Sequence, residues 1–342
     1  MFDSKKHINN LINNKYYKNL LLLRNDLEIG CDKYFQTLKA PKVDLYLISK
    51  SVSSPIALGS DSKPINFRLD NDNYFLADSS QFGMEPLLFN SNKIVYCYLP
   101  SFRGEDPDNR HLNQFYHCET ELLGDCSKAM DVAEGLIKAL IEVVVENTKK
   151  SNKLSQIKDS KLLANISKTK FPKITFDEAV LLLENNNLGS LIERKSFGRI
   201  LTTKAENAIT RLVSDNKLPV WVTDYDRDTV AFYQMPNPKD SNKVFNADLI
   251  APQLIKNSFG GEILGLGQRQ NKAESILESM KRQKIKNTGQ YDWYIKLRKN
   301  PKYRTTSGFG LGIERFLTWS LGLENLADVC LYPVLKGSSM QY

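Results

Sequence analysis

Long apolar runs, paired cysteines and internal repeats are all missing from this 342-residue chain. Apolar stretches such as Leu20 to Leu23 are a few residues long, far short of the ~18 that suggest a bilayer span. The opening MFDSKKHINN has no apolar core of a secretory leader. The five cysteines, at 31, 97, 118, 126 and 330, are odd in number and nowhere spaced C-x-x-C, which argues against both structural zinc and a disulfide framework. A cytoplasmic protein with no membrane partner is the expectation. Alternating strand–helix units are missing too, so a doubly wound parallel sheet is not expected. What remains is the composition of a globular protein: 41% hydrophobic and 25% charged residues, in a chain long enough for one large domain or two ordinary ones. The net charge of +8 suits an anionic ligand or a nucleic acid and requires neither.

Periodicity supplies the elements. Leu20, Leu23, Leu27 and Tyr34 recur at helical spacing over residues 16–38, and Ala133, Leu136, Leu140, Val143 and Val144 line a helix over 130–147. Residues 43–52, INFRL, NYFLADSS, 94–100, 219–225, 229–235, 246–252 and 262–267 read as strands, and 81–89 as a short helix. Thr175 followed by Glu178 signals a capped helix over 174–185, with further helices expected over 205–216 and 272–284. The lysine-rich stretch 148–173 reads as a solvated surface insertion in preference to a nucleic-acid contact. The sum is an α+β fold, an antiparallel β-sheet flanked by helices, with a helical segment (1–42) ahead of a catalytic domain (43–342).

Chemistry concentrates in residues 101–122, SFRGEDPDNRHLNQFYHCETEL. Two strand-like runs flank a loop of Gly, Asp, Pro and Asn, the pattern of an antiparallel hairpin with a long polar loop. It carries the cations Arg103, Arg110 and His111, the ring of Phe115, and the acids Glu105, Glu119 and Glu121. Cations grip phosphate, a ring stacks on a base, and carboxylates hold a metal or an amine. That set suits a nucleotide triphosphate; by itself it also suits a solvated hairpin laced with ion pairs. Further on, SGFGLGIERF alternates Gly308, Gly310 and Gly312 before Glu314 and Arg315. Without a preceding βαβ unit it is no dinucleotide fingerprint; it reads as a turn into a helix whose arginine reaches phosphate, or as a packing turn alone. Asp248 and Glu262, near the ends of two strands, suit Mg-ATP, because magnesium takes one or two carboxylates plus phosphate oxygens; they also suit ordinary strand ends.

Taken together, FRGEDPDNRHLNQFYHCETE and SGFGLGIER resemble motifs 2 and 3 of class II aminoacyl-tRNA synthetases, most like the asparaginyl/aspartyl catalytic domain. DSSQFGME resembles the SGQLYxE substrate segment of that family. PVWVTDYDRDTVAFYQMP, NADLIAP, GGEILGLGQR, WYIKLRK and GLENLADVCLYP follow in the family's order, and Pro55 is the candidate motif 1 proline. The resemblance implies an AMP-forming ligase that uses ATP and Mg2+. It places Arg103 on the α-phosphate and the reacting carboxylate, Glu105 and Phe115 on adenine, Arg110, His111 and Arg315 on the outer phosphates, and Asp248 and Glu262 on magnesium. Ser79 and Gln81 match positions near the α-amino group, and Arg269 the arginine that meets the substrate side chain. Met84 stands where aspartate-specific members have a lysine, and Glu85 matches a glutamate of asparagine-specific members, so asparagine is expected ahead of aspartate or an analogue. A homodimer built around residues 43–55 and the preceding helix is also implied.

Three departures qualify the likeness. Only about forty residues precede it, so the family's N-terminal OB-fold anticodon domain is not expected. The family's PHSG is Thr305-Thr306-Ser307-Gly308 here, without the histidine. Its EG dipeptide is replaced within GSDSKPINF, where Asp61 is the candidate substitute. The expected function is therefore adenylation of asparagine, with the acyl group passed to a non-tRNA acceptor such as an amine, ammonia, a thiol or a peptide. The alternatives are a minimal asparagine–tRNA ligase, an aspartate-activating asparagine synthetase, and a non-catalytic binding module.

Overall fold

The computed structural model describes residues 2–53, 58, 62–151, 154–285 and 289–334; Pro55 and Asp61 lie outside the described residues. The central sheet is built, among the described residues, from β1 (Ile94–Phe102), β2 (Gln114–Leu123), β3 (Lys173–Thr175), β4 (Val220–Thr223), β5 (Asn246–Ala251), β6 (Gly261–Gln268) and β7 (Thr306–Gly312). Their order across the sheet is β1-β2-β7-β6-β5-β4-β3, with only the short β3 parallel to its neighbour β4. This is the antiparallel α+β architecture expected. The hairpin forms as well, β1 pairing β2 from Ile94↔Leu122 to Phe102↔Gln114.

The two faces of the sheet differ because the strand period is two. On one face Cys118, Leu122, Leu264, Leu266, Phe309 and Leu311 pack against helices α2 (Lys15–Thr37) and α3 (Cys126–Lys150); a shorter helix, α1 (His7–Asn13), precedes them. The buried residues of α2 and α3 fall at helical spacing: Leu20, Leu23, Leu27 and Cys31 on one, Ala133, Leu136, Leu140 and Val144 on the other. Gly30 lets the two helices close, since a Cβ there would stand 2.9 Å from Val143 Cγ2. No helix of the described residues is long and apolar enough to cross a membrane.

The other face is bare at its centre. Gly308, Gly310 and Gly312 of β7 lie opposite Glu121, Glu119 and His117 of β2, and on the other side Gly308 and Gly310 face Gly267 and Gly265 of β6. A Cβ on Gly308 would overlap Glu121 Oε1 and the Thr120 carbonyl, and one on Gly310 would stand 3.5 Å from Glu119 Oε1. The alternating glycines are thus a strand stripped of side chains, not the turn expected from their spacing. Glycine is used in a strand where something must approach the backbone closely. Helix α9 (Ile313–Ser320) follows directly.

Other expectations are corrected by packing. Residues 43–52 contribute only the two-residue strand Ile48–Ser49, paired to Asp72–Leu76 in a small peripheral sheet; Val43 and Leu45 pack against Met84, Leu88, Val95 and Cys97, while the alternate face is open and Tyr46 is 92% exposed. Residues 229–235 turn instead of forming a strand: Gln234 makes an isolated antiparallel bridge to Arg269, and Phe232 and Tyr233 are drawn into a separate aromatic cluster with Phe82, Tyr291 and Tyr294. The lysine-rich stretch is not simply a solvated insertion. It holds helix α4 (Ser160–Lys168), which buries Leu163 and Ile166, with Leu154 and Phe171 beside it, in the main core, while Lys161, Lys168 and Lys170 are exposed. Thr175 and Glu178 form the reciprocal capping box of α5 (Phe176–Asn185), and α6 (Thr203–Ser214), α7 (Ala273–Arg282) and α8 (Asp292–Leu297) complete the helices used below.

Candidate active site

Two joined cavities lie over the glycine floor. The larger, of about 340 Å³, is bordered by Ser79, Gln81, Glu119, Glu121, Tyr233 and Arg269. The smaller, of about 110 Å³, is bordered by Glu105, Arg110, His111, Phe115 and Arg315. Arg103, His117, Glu262 and Gly310 border both and mark the seam. The sheet thus brings together side chains from the hairpin, β5, β6, β7 and α9 that are up to two hundred positions apart in sequence.

The hairpin loop is held in shape by its own polar atoms. Asn113 Nδ2 donates to the carbonyls of Arg103 (2.8 Å) and Glu105 (2.7 Å), and Asp108 Oδ1 accepts from the Arg110 amide and lies 2.9 Å from His111 Nδ1. Arg110 donates to the Gly260 carbonyl at 2.6 Å and lies over the Phe259 ring. Arg103 lies against Phe115, its guanidinium carbon 5.5 Å from the ring centroid, and its buried Nε has no hydrogen-bond partner among the described residues. Gln81 Nε2, Thr120 Oγ1, Glu121 Oε2 and Gln234 Oε1 are likewise buried without partners and border the larger cavity. Such groups cost stability unless something satisfies them, so their convergence on one space marks a site for a polar ligand.

At the inner end, Arg269 Nε donates to Glu121 Oε1 at 3.0 Å, and its Nη2 bonds the same oxygen. Burial pushes the Glu121 carboxyl up, to about 7, against the pull of Arg269. Glu119 accepts from Ser79 Oγ and the Ser80 amide, both at 2.5 Å, which fixes the start of the helical turn carrying Gln81; burial nonetheless raises its pKa.

Asp248 and Glu262 converge over Gly265: a Cβ there would stand 3.5 Å from Asp248 Oδ1 and 3.3 Å from Glu262 Oε1. The register shift in the β5–β6 pairing at Leu249/Ile250 is what turns Glu262 to the face of Asp248. Burial, and then the charge of Glu262, raise the Asp248 carboxyl well above the usual range, while Tyr225 bonds the ionised form. Two acids that repel in this way fit a divalent cation, whose charge would relieve both. Among the described residues no group of three or more His, Cys, Asp or Glu gathers as an all-protein metal cage. Arg315 Nη1 lies 3.2 Å from Glu262 Oε2.

Two buried groups were not foreseen in the sequence. Glu206, on α6, accepts from the Glu262 amide at 3.2 Å and lies 3.9 Å from Arg110. Burial, and then Glu262, push it up to about 7. His117 is held at the seam between the two cavities. Glu206 has no local signal, since its burial depends on packing between elements remote in sequence; His117 has one, because it stands two residues from both Phe115 and Glu119 and so shares their face of the strand. Because Glu206 binds its proton more tightly in the folded chain than at the ordinary value of 4.5, its contribution is fully favourable below that value and is lost as the pH rises through about 7. Glu206→Gln is expected to remove roughly 2–3 kcal/mol of the decline in stability between acid and neutral pH, read from urea midpoints at the two pH values. An unchanged slope would exclude this environment for Glu206.

Glu85 alone of the expected site residues borders neither cavity. Its side chain is fully buried, paired to Arg298 at 2.9 Å, and accepts from Thr306 Oγ1 at 3.1 Å. Met84 takes the cavity wall in its place. Thr306, standing where the family motif has histidine, is therefore tied to Glu85 behind the wall.

An antiparallel sheet with a glycine-cleared floor, a hairpin of cationic side chains and a converging acid pair has the form of a class II synthetase catalytic domain. The chain belongs to the class II tRNA synthetase family of the D, K and N type, whose model matches residues 8–336. It is 36% identical over 252 residues to the asparagine–tRNA ligase of Clostridium tetani, covering 72% of this chain and 52% of that protein. With the enzyme of Pelotomaculum thermopropionicum it shares 28% over 318 residues, 92% of this chain and 68% of the other. In fold it matches the asparaginyl-tRNA synthetase of Pyrococcus horikoshii complexed with asparaginyl-adenylate, at TM-score 0.83 and 24% identity over 96% of this chain and 70% of that one. The chain spans about half to two thirds of the length of these curated relatives.

Proposed function

We propose that this chain activates an amino acid, asparagine in preference, by forming its adenylate from ATP. The observation that carries the reading is Arg103: a guanidinium at the seam of two polar cavities, with a buried nitrogen that has no hydrogen-bond partner among the described residues. An amino acid in the larger cavity and a nucleotide in the smaller would meet there, carboxylate against α-phosphate. The substrate carboxylate is the nucleophile and pyrophosphate the leaving group, so the protein contributes alignment and charge stabilisation. Arg103 would bridge the reacting oxygens, Phe115 and Glu105 would take adenine, and Arg110, His111 and Arg315 the outer phosphates. Asp248 and Glu262 would hold magnesium, which supplies charge neutralisation on the phosphates. Ser79 and Gln81 would hold the α-amino group.

For the side chain, the partnerless Glu121 Oε2 beside Arg269 supports an amide: Arg269 offers N–H to the amide oxygen, and Glu121 accepts from its nitrogen. A second carboxylate in that position would be repelled. Glu85 would frame this end of the site from behind, through Arg298 and Thr306. The exposed Leu21, Leu22 and Ile29 on α2 are the face proposed for a homodimer.

Two acceptor readings follow. One is transfer to a small non-tRNA nucleophile; the other, transfer to tRNA, is supported by the names of the relatives above, which are asparagine–tRNA ligases. The test is ATP–pyrophosphate exchange with each standard amino acid, followed by transfer to total tRNA or to a simple amine. Exchange dependent on asparagine is expected, with aspartate at least tenfold weaker, about 1.4 kcal/mol. No exchange with any amino acid would rule the reading out.

A further inference from the structure

Adenylation moves no proton, yet the seam carries an imidazole. The His117 side chain, 12% exposed, borders both cavities. Its Nδ1 lies 2.9 Å from Ser101 Oγ and 3.7 Å from Glu119 Oε1, and its ring stands edge-on to Phe115 with centroids 4.7 Å apart. The Cδ2 edge faces the bare strand, 3.9 Å from where a Cβ on Gly310 would be. Nδ1 is thus anchored on Ser101 Oγ, which accepts from it in the tautomer protonated there. Nε2 makes no hydrogen bond to any described residue, and in that tautomer it carries a lone pair. A nucleophile–base–orienter arrangement needs this set, lacking only the nucleophile.

We propose that His117 is the general base of the second half-reaction, accepting the proton of a small amine as it takes the acyl group. The inference rests on the adenylation reading and adds to it a role and a class of acceptor. The amine nitrogen attacks the acyl carbon of the adenylate and a C–N bond forms. The C–O bond to the phosphate breaks, AMP leaves with that electron pair, and the amine proton passes to Nε2 and on to solvent. Burial, with Arg103 and Arg315 nearby, holds the imidazole down at about 3, so the resting ring is neutral but a weak base. The phosphate of a bound adenylate would offset those two cations and raise its basicity at the step where it is used.

The test compares the native chain with His117→Ala and His117→Gln in the presence of asparagine and ATP. Pyrophosphate exchange is measured first; then the conversion of enzyme-bound adenylate to asparaginyl-glycinamide is followed after adding glycinamide, with total tRNA in a parallel arm. His117→Ala is expected to slow transfer about 10²-fold more than it slows exchange, and added imidazole is expected to restore part of the loss. His117→Gln keeps volume and a polar group but no base, and is expected to stay slow. Exchange and transfer falling by one common factor, or a loss that imidazole does not repair, would make His117 a positioning residue and overturn the proposal. A native chain without exchange overturns the adenylation reading and this role together. A native chain that exchanges but acylates only tRNA overturns the amine acceptor alone.

Discussion

Arg103→Ala is expected to reduce ATP–pyrophosphate exchange by about 10³-fold or more, roughly 4 kcal/mol of transition-state stabilisation. The size follows from position. Arg103 borders both cavities, and its buried Nε has no partner among the described residues, which leaves that donor available to a ligand. In-line displacement at phosphorus gathers charge on oxygens that a planar guanidinium can bridge with two parallel hydrogen bonds. Arg103→Lys keeps the charge and loses the fork, so a loss of about 10²-fold is expected there. Both losses belong to kcat as well as kcat/KM, because the contact strengthens in the transition state. A fall of less than tenfold in the alanine variant would remove Arg103 from the reacting centre.

The second large effect is on stability. Glu85 and Arg298 are both fully buried, and the guanidinium carbon of Arg298 lies 3.9 Å from the Tyr294 ring centroid and 5.0 Å from that of Tyr303. Removing one charge from such a pair strands the other in a medium of low polarity, at a cost of about 3–5 kcal/mol. Glu85→Gln is therefore expected to lower Tm by roughly 5–10 °C. The double substitution Glu85→Met with Arg298→Met, which removes both charges, should recover most of that loss. Thermal unfolding followed by circular dichroism measures both. Should Glu85→Gln leave Tm unchanged while reversing the preference between asparagine and aspartate in exchange, the residue would be a direct reader of substrate and not part of the buried frame.

The legible parts of this protein are those whose signals are local. Helix α3 follows from apolar spacing, α5 from Thr175 and Glu178, and the hairpin from two alternating runs around a polar loop. The hairpin's cations and Phe115 were readable because one loop delivers them together. Illegible parts have the opposite character. An alternating apolar run at residues 229–235 looked like a strand, but Phe232 and Tyr233 found a better-packed aromatic partner than a sheet neighbour. The lysine-rich stretch looked like a solvated insertion because charge dominates its composition, whereas the few apolar residues of α4 decide where it packs.

The glycines of β7 show where sequence and structure divide. The sequence by itself determined that Gly308, Gly310 and Gly312 alternate, and hence that they share a face if the segment is extended. Only the tertiary structure decided that they pair with Glu121, Glu119 and His117, because register between strands almost two hundred residues apart is fixed by the packing of both faces and by no local rule. The same holds for the site as a whole. Which residues carry charge was written in the chain; which of them face an open seam, as Arg103 does, and which are walled in, as Glu85 is, depended on where the core left space.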